Sequence, residues 1–189
     1  MSIRSFIAIE VPDGVKRALG RCQEKLRASE VKVRWVQTRI IHLTTKFLGD
    51  VSEQDVPAIC EVLKEQAGRV SPFALEIATL GAFPPHGPPK VIWAGVRGDT
   101  DTLATLVQDV DDALAEVVGI QPEHRQWHPH LTLGRIKSTR NVDRLRKMLE
   151  RNADVEFGSF TADAVTLFMS ELSREGASHT PMATVSFEG

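Results

Sequence analysis

Two segments of the sequence repeat one another, and both read as strands. They are Ile41-His42-Leu43-Thr44-Thr45-Lys46-Phe47-Leu48-Gly49-Asp50 and His128-Pro129-His130-Leu131-Thr132-Leu133-Gly134-Arg135. Each carries His-x-Thr among apolar strand formers. A strand sends residues i and i+2 to the same face. His42 therefore shares a face with Thr44, and His130 with Thr132, an imidazole beside a hydroxyl in each half of the chain. One copy alone reads most simply as a hydrogen-bonded structural histidine. Two copies on two predicted strands point to a fold that turns matching half-sites toward one cleft.

The rest of the chain alternates strand and helix around these segments. Period-two or β-rich patterns cover residues 3–10, 31–36, 40–51, 73–80, 91–96, 155–160, 164–172 and 184–187. On residues 3–10, Ile3, Ser5, Ile7 and Ile9 alternate against Arg4, Phe6, Ala8 and Glu10. Helical spacing follows Pro12 and Asp13, with Val15, Ala18, Leu19, Cys22 and Leu26 on one stripe. Ser52 and Asp55 form a capping-box pattern ahead of a second helix. Helices are also predicted over 99–118, with its aspartates on a solvated face, and over 141–151. Pro84-Pro85-His86-Gly87-Pro88-Pro89 is a loop. This order is that of an α+β fold, helices covering sheets. At 189 residues with no low-complexity linker, the chain reads as a single domain, 1–189, with the paired motifs suggesting a loose internal duplication into two lobes.

Composition narrows the partners. The formal net charge of −2 gives no global attraction to nucleic acid or membrane, so a polyanion would need a local basic patch. No apolar run approaches the roughly 20 residues of a membrane span. The apolar run at the N-terminus is too short for a signal peptide. Two cysteines, Cys22 and Cys60, make no disulfide framework. The expectation is a cytoplasmic protein.

Histidine gives or takes a proton near neutral pH, its ordinary pKa being about 6.5. Two of them facing one bound group can serve as acid and base in a single displacement. In-line phosphoryl transfer needs that pair: proton removal from the attacker on one side, proton delivery to the leaving oxygen on the other. Each threonine hydroxyl would donate to a non-bridging phosphate oxygen. A carboxylate cluster, a P-loop and a cofactor-type glycine fingerprint are all missing from the sequence, so neither metal nor cofactor is expected. A competing reading makes His124, His128 and His130 a zinc cluster with His42 as fourth ligand, which would leave the threonines idle. His128 shares the His130 face by alternation and could support it or contact a base. His86 and His179 lack supporting context and read as solvated loop residues. Strict alternation puts Thr45 and Phe47 opposite His42, and Lys46 on its face. Arg135 falls opposite His130 unless Gly134 bends the strand.

These residues closely resemble the two-histidine phosphoesterase superfamily, and within it the bacterial and archaeal RNA 2′,3′-cyclic phosphodiesterases, also described as 2′-5′ RNA ligases. The resemblance rests on Arg4 through Glu10, Val33-Arg34-Trp35-Val36, the two His-x-Thr segments, Gly81-Ala82-Phe83-Pro84 and Ser170-Glu171-Leu172. It implies a bilobal, pseudo-symmetric fold whose antiparallel sheets line a central cleft with helices outside, the two lobes intertwined. It implies metal-independent opening of an RNA 2′,3′-cyclic phosphate to a 2′-phosphate. His42 would be the proton donor to the leaving 3′ oxygen and His130 the proton acceptor that activates water. Thr44 and Thr132 would hold phosphate oxygens, and Phe47 and Arg135 match substrate-side positions. Partners would be RNA with cyclic ends, tRNA fragments among them, with no membrane and a monomeric protein; 2′-5′ ligation would follow by microscopic reversibility. The alternative is a nucleotide- or RNA-end-binding module without efficient catalysis. Residues 121–151 are basic, and with Trp35, Phe47 and Trp127 as stacking candidates they predict tighter binding of oligonucleotides than of mononucleotides, through Arg140 and Arg144.

Overall fold

The computed structural model describes residues 1–122, 127–173 and 176–189. The chain runs β1 (Ser2–Glu10), α1 (Asp13–Arg27), β2 (Val33–Trp35), a 3-10 turn (Thr38–Ile40), β3 (His42–Ser52), α2 (Val56–Ala67), β4 (Phe73–Phe83), β5 (Val91–Gly98), α3 (Thr100–Val118), β6 (His130–Ile136), α4 (Val142–Arg151), β7 (Glu156–Ala162), β8 (Ala164–Leu172) and β9 (Ala177–Ser186). The strands form two antiparallel sheets, ordered β3-β1-β8-β9 and β2-β6-β5-β4-β7. This is the expected α+β architecture. Each sheet mixes strands from early and late in the chain: β8 pairs with β1, and β2 with β6. The two motif strands, β3 and β6, contact one another where the sheets meet.

Amphipathic helices close the outer faces. α2 and α3 pack on each other and against the four-stranded sheet, while α1 and α4 contact β7 and β4 of the other. α3 buries Leu103, Leu106, Val110 and Leu114, at the helical spacing that places them on one stripe. Ile7, Leu43, Ile77, Ile92 and Leu131 are fully buried beneath these helices, each aliphatic side chain contributing about 1.5–3 kcal/mol through removal from water. A second small cluster, Phe6, Ala8 and Phe168, lies apart from this core. The alternation read in residues 3–10 therefore has no solvated face between Phe6 and Ile9. β1 lies inside its sheet, and its second face helps line the cleft.

Two local expectations are corrected. Ser52 ends β3 and accepts from the backbone N–H of Gln54, and Asp55 makes no side-chain cap, so the capping box is not formed; Pro57 in the first turn sets the start of α2 instead. β9 begins at Ala177, seven residues before the strand read at 184. Pro181 disguises it. β9 is the outer strand of its sheet, and Pro181 sits beside a register shift against β8, the kind of position where a strand tolerates a missing N–H.

Candidate active site

Both motif strands bulge immediately after the threonine. Along β3, Ala8 faces Thr44 and Ile7 faces Lys46, so Thr45 is the extra residue. Along β6, Trp93 faces Thr132 and Ile92 faces Gly134, so Leu133 is extra. An inserted residue reverses the alternation beyond it. The fifth residue after each histidine, Phe47 in one strand and Arg135 in the other, is thereby returned to the cleft that His42, Thr44, His130 and Thr132 line. Strict alternation put Phe47 on the far face; the bulge overrides it. For Arg135 the bend falls at Leu133–Gly134, as the glycine allowed. A Cβ on Gly134 would come within 2.6 Å of Val33.

Each bulge is held by hydrogen bonds. The Thr45 hydroxyl donates to the Ile7 carbonyl at 3.1 Å, which makes Thr45 a packing residue as expected. The Leu133 carbonyl accepts from Val36 N–H at 2.9 Å and from Gln23 Nε2 at 2.9 Å, and the same amide donates to Val36 O at 2.8 Å. Gln23, buried on α1, thus ties β2 to the β6 bulge. Lys46 is turned from the two histidines toward α3, at the wall of the same cleft. It is buried, ion-paired with Asp111 of α3, and donates to the Gln121 carbonyl at 3.0 Å. Asp111 is accordingly not part of a solvated face.

The two imidazoles are anchored alike. His42 Nδ1 donates to the Ile40 carbonyl and His130 Nδ1 to the His128 carbonyl, each at 2.7 Å and each two residues back. A carbonyl can only accept, so Nδ1 carries the hydrogen and Nε2 is left for chemistry. His128 contributes this carbonyl; its ring is exposed and is not part of the cleft wall. Each histidine also leans on an aromatic ring: His42 is stacked on Phe6 at 4.6 Å, and Phe83 is edge-on to His130 at 5.1 Å.

The surroundings differ more than the anchors do. Burial pushes His42 down to about 4, further lowered by the nearby His179 and Lys16 charges and opposed by the Ile40 hydrogen bond. His179 is no loop residue. It stands on β9, perpendicular to His42 at 5.2 Å and to Phe6 at 4.8 Å, and it lines the same cleft. Its pKa is lowered by burial, against a weaker opposing influence from the Ser178 backbone. Its Nδ1 is buried without a hydrogen-bond partner of good geometry among the described residues. The signal that could have found it is Thr184-Val185-Ser186 extended backward through the proline.

The other expectations divide. Phe47 is 66 % exposed at the cleft and Trp127 lines it; Trp35 lines it too, with the Arg27 guanidinium over its ring at 5.3 Å. In the basic segment, Arg144 is paired with Glu30 at 2.9 Å and Arg146 donates to the Gly87 carbonyl, which leaves Arg144 a partly neutralised charge. His86 is exposed in its loop. His124 and Arg125 lie outside the described residues. Among the described residues no group of three or more His, Cys, Asp or Glu side chains is placed to hold a metal ion. No described helix is long and apolar enough to cross a membrane.

Comparison with known proteins adds a family. The model for LigT-like phosphoesterases matches residues 9–93 and 96–178, one His-x-Thr segment in each. A Methanothermobacter thermautotrophicus protein named RNA 2′,3′-cyclic phosphodiesterase is 33% identical over 182 residues, covering 96% of this chain and 97% of its own length. An Aeropyrum pernix protein of the same name is 36% identical over 159 residues, 84% of this chain and 88% of its own. A solved structure from Thermus thermophilus superimposes with a TM-score of 0.81 at 27% identity, covering 99% of both chains.

Proposed function

The chain belongs to the LigT-like phosphoesterases, and from that membership together with the paired histidines we propose that it opens the 2′,3′-cyclic phosphate at the end of an RNA. The observation that carries the reading is the twin anchoring: two strand histidines at one cleft, each with Nδ1 on a carbonyl and Nε2 free, each followed by a threonine on the same face. In the reaction, His130 Nε2 takes a proton from water as its oxygen attacks phosphorus. The P–O3′ bond breaks in line, and protonated His42 delivers its proton to O3′. The products are a 2′-phosphate monoester and a 3′ hydroxyl, and each histidine ends in the other's starting state. The Thr44 and Thr132 hydroxyls donate to the non-bridging oxygens, whose charge grows as water attacks. Phe47 and Arg135 flank the substrate, one by stacking and one by charge. A 5′ hydroxyl in place of water would give a 2′-5′ linkage by the same steps.

Nothing in this scheme calls on a metal ion. The substrates include cyclic-ended fragments such as those of tRNA, and the protein works as a monomer in the cytoplasm. The test is turnover of a 2′,3′-cyclic nucleotide by the wild type, H42A and H130A, each shown folded by circular dichroism. Each substitution lowers turnover by about 10²–10⁴-fold. Near-normal rates in either variant would reject the assignment, and activity lost to EDTA and restored by zinc would reject the metal-free scheme. Binding without turnover in the wild type would favour the binding-module alternative.

A further inference from the structure

Outside the two histidines, the strongest unexplained feature is a run of cations on the open face of β2 and β6. Arg34 lies directly opposite Arg135 in the antiparallel register. The pairing continues one step beyond the strand ends through the Lys137 N–H to the Lys32 carbonyl at 2.7 Å. All four residues are exposed, whereas Val33 and Ile136 between them turn inward against the core. Alternation thus collects Lys32, Arg34, Arg135 and Lys137 on one face, and Arg34 and Arg135 line the cleft itself. Like charges directly opposite one another destabilise a strand pair. Among the described residues no carboxylate lies within ion-pair distance of any of the four; the nearest candidate in sequence, Glu30, is paired with Arg144. The run ends in a hollow of about 530 Å³ bordered by Glu30, Lys32, Ser138, Arg140 and Asn141, where the Glu30 carboxylate is the one paired with Arg144.

Two successive cross-strand pairs of cations without internal counter-charges fit a polyanion laid across them. Successive pairs are two residues apart, roughly 6.7 Å along the strand, comparable to the step between phosphates of a single strand. The cleft, at about 1240 Å³, exceeds the ~300–1,000 Å³ common for small-molecule pockets. We propose that the face of β2 and β6 bearing Lys32, Arg34, Arg135 and Lys137 is a track for the phosphates immediately 5′ of the cyclic end of a single-stranded RNA. This rests on the cyclic-phosphodiesterase reading and extends it. The cyclic phosphate sits between the two histidines, Arg34 and Arg135 meet the first upstream phosphate, and Lys32 and Lys137 the second.

The experiment compares a 2′,3′-cyclic mononucleotide with a cyclic-ended trinucleotide over a range of salt, using the wild type and K32A/K137A. Each phosphate contact on a single strand contributes about −0.7 to the slope of log affinity against log salt. The wild-type slope of log kcat/KM should be steeper for the trinucleotide by about 1.4, with the difference in KM rather than kcat. K32A/K137A should leave the mononucleotide unchanged and remove about half of that extra slope. Equal slopes for the two substrates in the wild type would overturn the track, and that arm needs no variant. An equal loss on both substrates in K32A/K137A would overturn it as well. Should neither substrate turn over, the cyclic-phosphodiesterase reading falls separately. Fluorescence anisotropy with a trinucleotide ending in a 2′-phosphate, against the 2′-mononucleotide, then decides the track by the same slopes.

Discussion

The low pKa of His42 makes a demand on the proposed mechanism, in which it is the proton donor. With its pKa pushed to about 4, about one molecule in a thousand carries the His42 proton at pH 7. A proton donor must hold its proton when the leaving oxygen needs it. In the complex the pKa must therefore climb to about 7, which corresponds to about 4 kcal/mol of preference of the substrate for protonated His42. The source is at hand: the phosphodiester carries one negative charge, and two unit charges about 4 Å apart near a protein surface interact by about 4 kcal/mol. The assay is an NMR titration of the imidazole resonances, with and without bound 2′-nucleotide. His42 should titrate near 4 when free and move up by more than two pH units when the ligand binds. Replacing His179, which faces His42 together with Phe6, Phe168 and the Lys16 charge, by phenylalanine should raise the free value modestly. A free His42 titrating near 6.5 would refute the burial argument. A His42 still neutral at pH 7 in the complex would hand the donor role to His130.

The same group makes stability pH-dependent. Its folded pKa is below its ordinary value, so the unfolded chain takes up the proton first, and stability is lost as pH falls from about 6.5 to 4, by at most about 3 kcal/mol. Urea midpoints of wild type and H42F should therefore diverge across that window, and parallel profiles would contradict it. Lys46 and Asp111 form a buried pair, so D111N should cost about 3–5 kcal/mol in denaturant unfolding, while the joint K46M/D111L change should be near neutral; equal losses would mean that burial of the pair is not what matters. Q23L removes both hydrogen bonds by which Gln23 links the Val36 and Leu133 carbonyls, leaving only the Val36 N–H on the β6 bulge, and should raise KM through Arg135 more than it lowers kcat, whereas a pure stability loss without a KM change would assign Gln23 to packing alone.

The order of strands and helices was legible because period-two and period-3.6 patterns are local. The half-sites were legible for the same reason: His42 with Thr44 and His130 with Thr132 need only alternation within one strand. Phe47, Lys46 and Arg135 defeated alternation because a bulge is a property of pairing, and the partner of the β6 bulge, Gln23, lies 110 residues away. His179 was hidden by Pro181, which looks like a strand breaker until its strand is known to be an edge. Asp111 resembled its solvated neighbours on α3, since only the folded chain brings Lys46 to it. Resemblance to a known family set Phe47 and Arg135 on the cleft side, where the structure has them, while the periodicity of this sequence did not.

The central claim is that the two histidines open a cyclic phosphate between them, one from each side. The most direct measurement is the product of a 2′,3′-cyclic-ended oligonucleotide incubated with the protein in EDTA, identified by chromatography against 2′- and 3′-phosphate standards. A 2′-phosphate from the wild type, and its loss in both H42A and H130A, is the predicted result. A 3′-phosphate, or a 2′-phosphate formed as fast by either variant, would contradict the account.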